Sequence, residues 1–226
     1  MYGLLTRMPL LMGISGQDLA RIEERLNIQV ESVHASRFPI IRQGEICSQL
    51  FFLVTGEMQK EKQSADGLYV ISEHIKGPTV IEAENLYGLH CLYEHTYTPL
   101  TDCKTICISK NDVRTHLMKS EIFRINYMNM LSAQIYRLKH QAAYAHLKNA
   151  EEKIITFILR NFSTTDSEKM LQIKMTDLAD YLDETRLSVS QALNKMEKSG
   201  LISLRRKEIY IHDIQRIIEY RNEQDR

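Results

Sequence analysis

Between Thr185 and Lys207 the charged side chains are Arg186, Lys195, Lys198, Arg205, Arg206 and Lys207, opposed by Glu197 alone. Cations gathered on so short a stretch suit phosphate. Each one that neutralises a nucleic-acid backbone charge releases a condensed counterion, which supplies the sequence-independent part of affinity. Covalent chemistry has no comparable signature. The chain contains no set of nucleophile, base and orienting residue, no HxxxH metal pair and no phosphate-binding glycine loop, so an enzyme is not expected.

The elements that must carry these cations read as strand, helix, turn, helix and hairpin from Leu171 to Ile211. Thr176 is the expected N-cap of the first helix, whose buried stripe is Leu178, Ala179 and Leu182. Asp183-Glu184 makes the turn. The second helix should start near Thr185, bury Val189, Leu193 and Met196, and stop at Ser199-Gly200. Leu201 to Leu204 and Glu208 to Ile211 then alternate as strands around a basic tip, Arg205-Arg206-Lys207. This order is that of a winged helix-turn-helix, whose second helix enters the major groove of DNA.

At 226 residues, with 29 basic and 29 acidic side chains, the chain has room for two small domains and no net charge to bias its partners. A balanced total does not oppose DNA binding, because the field that matters is local to the reading face. No apolar run is long enough to span a bilayer and no secretion signal opens the chain, so a cytoplasmic location without membrane contact is expected. The four cysteines, Cys47, Cys91, Cys103 and Cys107, should then be reduced. Cys103 and Cys107 share one face of an expected strand. Two small buried residues is the simpler reading, a metal or iron–sulfur site the alternative, and no metal ligands are assigned.

Ser15 can cap a first helix, with Asp18 at its third position, Ile14 stapling onto Leu19, and Leu19, Ile22 and Leu26 as its stripe. From Val30 short strands follow: Phe38 to Ile41, Leu50 to Val54, Glu57 to Lys62, Leu68 to Ile75, Thr79 to Ile81 and Leu100 to Ser109. Gly44, Gly56, Asp66-Gly67 and Gly77 stand at their corners, which fits an antiparallel barrel or jelly roll. Ser109 to Asp112 resets the chain to helix. A long helix should run from Glu121 to Leu147, with Met128, Leu131, Ile135, Leu138, Ala142 and Ala145 spaced as a heptad seam. Such a seam either packs on its own domain or joins two subunits, and tyrosines 127, 136 and 144 beside it could line a pocket. A shorter helix, Glu152 to Asn161, opens the C-terminal domain. The expected fold class is α+β. Residues 1–120 should form the barrel, 121–147 the long helix and 148–226 a winged helix-turn-helix domain.

Barrel, long helix and winged helix in that order resemble the Crp/Fnr family of bacterial transcription regulators. The resemblance implies that residues 1–120 are a cyclic-nucleotide-binding-like β-barrel sensor and 121–147 a dimerisation helix. Particular segments are also similar to the family: Gly44-Glu45 with Leu50-Phe51-Phe52-Leu53-Val54-Thr55-Gly56, Leu171-Gln172-Ile173-Lys174 before Met175-Thr176, and Thr185 to Ile202. The resemblance implies a homodimer joined through Met128, Leu131, Ile135, Leu138 and Ala142, reading a pseudo-palindromic operator and working with RNA polymerase. It also implies that Arg186 and Gln191 read bases, that Thr185, Ser188 and Ser190 bond phosphates or bases, and that Thr176, Lys195, Arg205 and Arg206 meet the DNA. Leu187 departs from the family, which often has an acidic residue after the arginine. An apolar side chain there cannot accept from cytosine but can contact a thymine methyl.

In cyclic-nucleotide members a Gly-Glu pair and a downstream Arg-Ser pair hold ribose and phosphate. Here Glu82 can take the ribose position, but Ile81 replaces the glycine, and His95-Thr96-Tyr97-Thr98-Pro99 offers no arginine. The implied effector pocket is therefore Glu82, Thr96, Tyr97 and Thr98, without a bidentate partner for phosphate. Cyclic AMP is not the expected effector. With no cysteine before Cys47, the N-terminal iron–sulfur mechanism of oxygen-sensing members is also unsupported. Haem remains an alternative, with His74, His90, His95, Met58 and Cys91 as candidate ligands and no pair singled out by spacing. An unidentified small molecule, or no effector at all, completes the alternatives.

Overall fold

The structure is a computed structural model describing residues 5–142, 149–162 and 167–224, with side chains for all of these but 137–142 and 224. Its contacts divide the chain into two compact units: residues 1–60 with 75–136, and residues 61–74 with 137–226. The second unit therefore takes a segment from the middle of what the sequence presents as one continuous N-terminal domain.

In the first unit, helix α1 (Gly16–Glu23) is capped as expected: the Ser15 hydroxyl oxygen accepts from the Asp18 N–H, and Ile14 and Leu19 are buried. Strands β1 (Ile28–Val33), β2 (Gln49–Thr55), β5 (Thr79–Ile81) and β7 (Cys103–Ser109) form an antiparallel sheet ordered β1-β7-β2-β5. The run of Leu50, Phe51, Phe52, Leu53 and Val54 is buried throughout, so β2 is a central strand covered on both faces. Strand β6 (Thr96–Pro99) lies beside β3 (Glu57–Gln63). The sheets are jelly-roll-like and remain open, because β1 and β5 end the first sheet without pairing to each other. The expected strand from Phe38 to Ile41 is reduced to one bridge, Ile41 with Tyr97. The expected run from Leu100 to Ser109 begins only at Cys103, since Leu100 and Thr101 turn back to donate N–H groups to Glu57 O.

After β7, the Ser109 oxygen caps α2 (Lys110–Thr115), and α3 (Glu121–Ala142) follows. Phe123 and Tyr127 are buried in the first unit's core with Phe52, Met58 and Ile106, while Met130 and Leu131 pack partly against it. The Asn126 side-chain amide donates to the carbonyls of Leu10 and Met12.

The second unit contains α4 (Ala150–Asn161), β8 (Lys169–Ile173), α5 (Met175–Leu182), α6 (Arg186–Lys198), β9 (Ile202–Arg205), β10 (Glu208–Ile211) and α7 (Ile214–Gln224). Its sheet is ordered β4-β8-β10-β9, where β4 (Tyr69–Lys76) is the return strand of the Asp66-Gly67 hairpin. Five registered pairs join β4 to β8, from Tyr69 opposite Ile173 to Glu73 opposite Lys169. Ile71 enters the second core beside Ile154, Leu171 and Leu193. The rings of Tyr69, Phe157 and Tyr181 meet edge to face at 5.1–5.7 Å. Glu73 and Lys169, opposite in register, are 3% and 2% exposed, and the Lys169 ammonium donates to Ser167 O at 2.9 Å and Ser167 Oγ at 3.2 Å.

Candidate functional site

The reading helix is positioned by its caps and by the turn before it. α5 begins at Met175, two residues earlier than a Thr176 cap requires. Thr176 is thus already helical and bonds Asp177, while Lys174, extended at ψ 146°, takes the cap position without a side-chain bond. Asp183 closes α5 at φ 51°, a left-handed conformation that Asp tolerates better than most residues. Lys153 of α4 fastens the turn, donating to the carbonyls of Leu182 (3.0 Å) and Asp183 (3.2 Å) and pairing with Glu184 at 2.8 Å. Thr185 then caps α6, its hydroxyl oxygen accepting from the Ser188 N–H at 3.1 Å. At the far end Gly200, at φ 67°, lets the Leu201 N–H reach back to Met196 O, a Schellman stop.

With Val189, Ala192, Leu193 and Met196 buried, α6 turns Arg186, Leu187, Gln191, Asn194, Lys195 and Lys198 outward, with Ser188 and Ser190 half-buried. Leu187 is 67% exposed, so its side chain is open to contact from outside the helix. A groove of about 340 Å3 separates this helix from the hairpin: Lys174, Thr176, Arg186, Arg205 and Lys207 rim it, with Ile173, Leu178, Leu193 and Ile209 on its floor. The Arg205 guanidinium stacks 4.6 Å from the centre of the Tyr210 ring, which restricts its swing. Arg206 is exposed at the hairpin turn beside Lys207, whose φ is 66°.

Lys195 is held. Its ammonium lies 2.6 Å from Glu151, whose other carboxylate oxygen accepts from the Tyr220 hydroxyl at 2.6 Å, so the three side chains tie α6, α4 and α7 together. The Glu151 contact pushes the Lys195 pKa up. Lys207 belongs to the expected basic tip, whereas Lys174 and Asn194 are not singled out by the sequence. Lys174 needs the groove to be seen, and Asn194 is legible as the position four residues beyond Ser190.

In the first unit, Glu82 is buried and left-handed at φ 40°, and its carboxylate is fully surrounded. His95 Nδ1 lies 2.6 Å from Oε1, and the Tyr97 hydroxyl donates to the same oxygen at 2.9 Å. The Glu94 N–H (2.6 Å) and the Asn85 amide (2.8 Å) donate to Oε2. Burial alone would raise this carboxyl's pKa, but the contacts from His95, Glu94 and Tyr97 outweigh it and hold the group below the usual carboxylate range. The expected pocket residues part company here. Tyr97 is bound to Glu82, whereas the Thr96 hydroxyl oxygen accepts from the Gln43 N–H at 3.0 Å, and Thr98 is half-buried on β6. Just beyond Glu82, the Tyr127 hydroxyl donates to Ala83 O at 2.5 Å and the Gln134 amide to Glu84 at 2.8 Å, fastening α3 to this segment. Among the described residues no group of three or more His, Cys, Asp or Glu side chains is placed to hold a metal.

Along α3, Met128 (56%) and Ile135 (53%) are exposed on the side away from Phe123 and Tyr127, while Leu131 is half-buried between the two faces. The helix is described to Ala142; the side chains of Leu138 and Ala142, and residues Tyr144, Ala145 and Leu147, lie outside the described set.

Helix, left-handed turn, capped second helix and two-stranded wing define a winged helix-turn-helix DNA-binding fold. A model of the Crp-like helix-turn-helix domain family matches residues 152–220. Across the whole chain, the catabolite activator protein of Thermus thermophilus superposes with a TM-score of 0.50 at 13% identity, covering 93% of this chain and 97% of that one. A Crp/Fnr-family regulator of Eubacterium rectale gives 0.50 at 18% identity, with 96% and 99% covered. In sequence, the chain is 24% identical over 182 residues to electron transport regulator A of Shewanella oneidensis, spanning 77% of this chain and 71% of that protein. Residues 152–220 match the Crp-like helix-turn-helix domain family, and the chain has the fold of the Crp/Fnr-type regulators it superposes on. No helix among the described residues is long and apolar enough to cross a membrane.

Proposed function

We propose that this protein is a dimeric, cytoplasmic, sequence-specific transcription regulator that binds a pseudo-palindromic operator with one α6 per half-site. The observation that carries the reading is the exposed face of α6, where Arg186, Leu187 and Gln191 stand at the helix start beside a groove rimmed by four cations. Arg186 and Gln191 read base edges, and Leu187 covers its apolar surface against a thymine methyl. Thr176, Arg205 and Arg206 meet phosphates, Ser188 and Ser190 bond phosphates or bases, Lys195 faces the DNA from its pair with Glu151, and the Thr185 hydroxyl divides its bonding between cap and DNA. Bound at a promoter, such a dimer works by contact with RNA polymerase.

The signal enters at the Glu82 segment and is not cyclic AMP. What supports this is the carboxylate itself, whose lone pairs are already satisfied by four donors from the protein, and the lack of arginine among its partners. Tyr127 and Gln134 provide the route from that segment to α3. The test is selection of a preferred duplex from a random pool, then titration across salt. A symmetric motif whose log affinity falls steeply with log salt, roughly −0.9 per phosphate contacted, is expected. Recovery of no preferred sequence would overturn the reading.

A further inference from the structure

Cys47 and Cys91 are far apart in sequence but opposite each other in space. A short antiparallel contact joins residues 45–47 to 91–93: Ile46 bridges Leu92, the Tyr93 N–H donates to Glu45 O, and the Cys47 N–H donates to Cys91 O. Ile46 (72%) and Leu92 (44%) point outward. Their neighbours must therefore point to the opposite side, which puts Cys47, Cys91 and Tyr93 together on the inner face. Residues directly opposite at a hydrogen-bonded position of an antiparallel pair have Cα atoms about 5.5 Å apart. That lies inside the roughly 4.4–6.8 Å range that a disulfide spans. Both thiols are free in the structure.

The two are not equivalent. Cys47 is 1% exposed, and burial pushes its thiol pKa up. Cys91 is half-exposed at the end of the open loop Gly88–His90, where Leu89 is 97% exposed, so a small solute reaches it. The Lys110 ammonium donates to the Cys91 sulfur at 3.3 Å and is itself steadied over the Tyr87 ring, 5.2 Å from its centre. A cation fixed on an accessible sulfur, with a second thiol opposite, is the arrangement of an attacking and a resolving cysteine.

We propose that Cys91 and Cys47 form a peroxide-reactive dithiol. The Cys91 sulfur attacks one oxygen of hydrogen peroxide, losing its proton in the process. The O–O bond breaks, Cys91 becomes the sulfenic acid, and the displaced hydroxide takes a proton to leave as water. The Cys47 sulfur then attacks the Cys91 sulfur. The S–O bond breaks, and the departing hydroxide combines with the Cys47 proton as a second water, leaving a disulfide. Two thiols are oxidised by two electrons and one peroxide is reduced to two waters. The linked strand continues from Tyr93 into Glu94, His95 and Tyr97, the donors around Glu82, and Tyr87 packs edge to face on Tyr127 of α3. Oxidation at this pair therefore bears on the segment through which we have the signal enter. That consequence rests on the regulator reading, whereas the thiol chemistry does not.

The full-length protein, purified without oxygen, is treated with equimolar hydrogen peroxide, alkylated and mapped by mass spectrometry. A Cys47–Cys91 cross-linked peptide is expected, reversed by dithiothreitol. Cys47→Ala should leave a dimedone-reactive sulfenic acid on Cys91, and Lys110→Met should slow oxidation severalfold. Alkylation of both thiols after peroxide, or Cys91 running on to sulfinic acid with Cys47 still free, would overturn the dithiol. Operator affinity is then compared for the reduced and cross-linked forms. A shift of severalfold is expected, and equal affinity would overturn the signalling role alone. If neither the reduced nor the cross-linked protein binds an operator while the cross-link still forms, the regulator reading fails and the dithiol stands.

Discussion

Arg186 and Glu82 are the residues on which the proposed reading and sensing functions depend. Arg186 is the first residue of α6 and faces outward, so its removal disturbs no core contact. Arg186→Ala should weaken specific binding by about 1–3 kcal/mol and relax preference at one base pair, with dimer formation unchanged. Competition titration against a duplex altered at that pair checks this, and undiminished discrimination would remove Arg186 from the reading set. Glu82 makes a prediction in pH. Its carboxyl is depressed in the folded protein, so the stability it contributes is present above the unfolded carboxylate value, about 4.3. That contribution is lost as pH falls through the lower folded value. The melting temperature of the wild type should therefore drop below about pH 4.3 more steeply than that of Glu82→Gln, which has no proton to gain at this position. Parallel curves for the two proteins would show the contacts to be energetically idle. The left-handed backbone at Glu82 was not legible in advance, because nothing in Ile81-Glu82-Ala83 marks it. It persists because four donors converge on the side chain.

Elements were readable where the local signal and the tertiary outcome agree. Ser15, Thr185 and Gly200 cap or stop their helices as their types dictate; the buried stripe of α5 is the expected one, and that of α6 contains the three expected residues with Ala192 added. Thr176 shows where the local signal misleads: a good capping residue two positions past the cap is simply helical. The pairing of β4 with β8 was not legible at all, because strand partners distant in sequence leave no periodic trace. Glu73 and Lys169 give that pairing a measurable energy. Glu73→Leu or Lys169→Met alone strands a buried charge and should cost about 3–5 kcal/mol, while the double change should recover most of it. Urea unfolding of the four proteins forms the cycle, and strictly additive losses would show that the two charges do not interact.

At the scale of the whole molecule, the open question is what covers the outer face of α3. Met128 and Ile135 lie one heptad apart and are both more than half exposed, which is expensive for a lone chain and ordinary for a helix that meets its copy. Leu131 belongs partly to the core of its own unit, so a charge there would confound folding with assembly. Met128→Lys with Ile135→Lys should instead give folded monomers in sedimentation, with half-site affinity only. A double variant that stays dimeric would place the interface elsewhere. The heptad spacing was visible in the sequence, but which of its members face inward was not, because period alone cannot assign a partner.

The strand that β4 lends to the second unit also fixes an order of events in synthesis. The hairpin leaves the ribosome well before β8 exists, and until then one side of β4 is an unpaired edge carrying Tyr69 and Ile71. The C-terminal domain, for its part, emerges as a sheet already missing a strand and waits for one made earlier. The nascent chain must keep that early strand soluble and available. The acidic and basic side chains of its hairpin partner, Lys60, Glu61 and Lys62, suit that task as gatekeepers against pairing with a neighbouring chain.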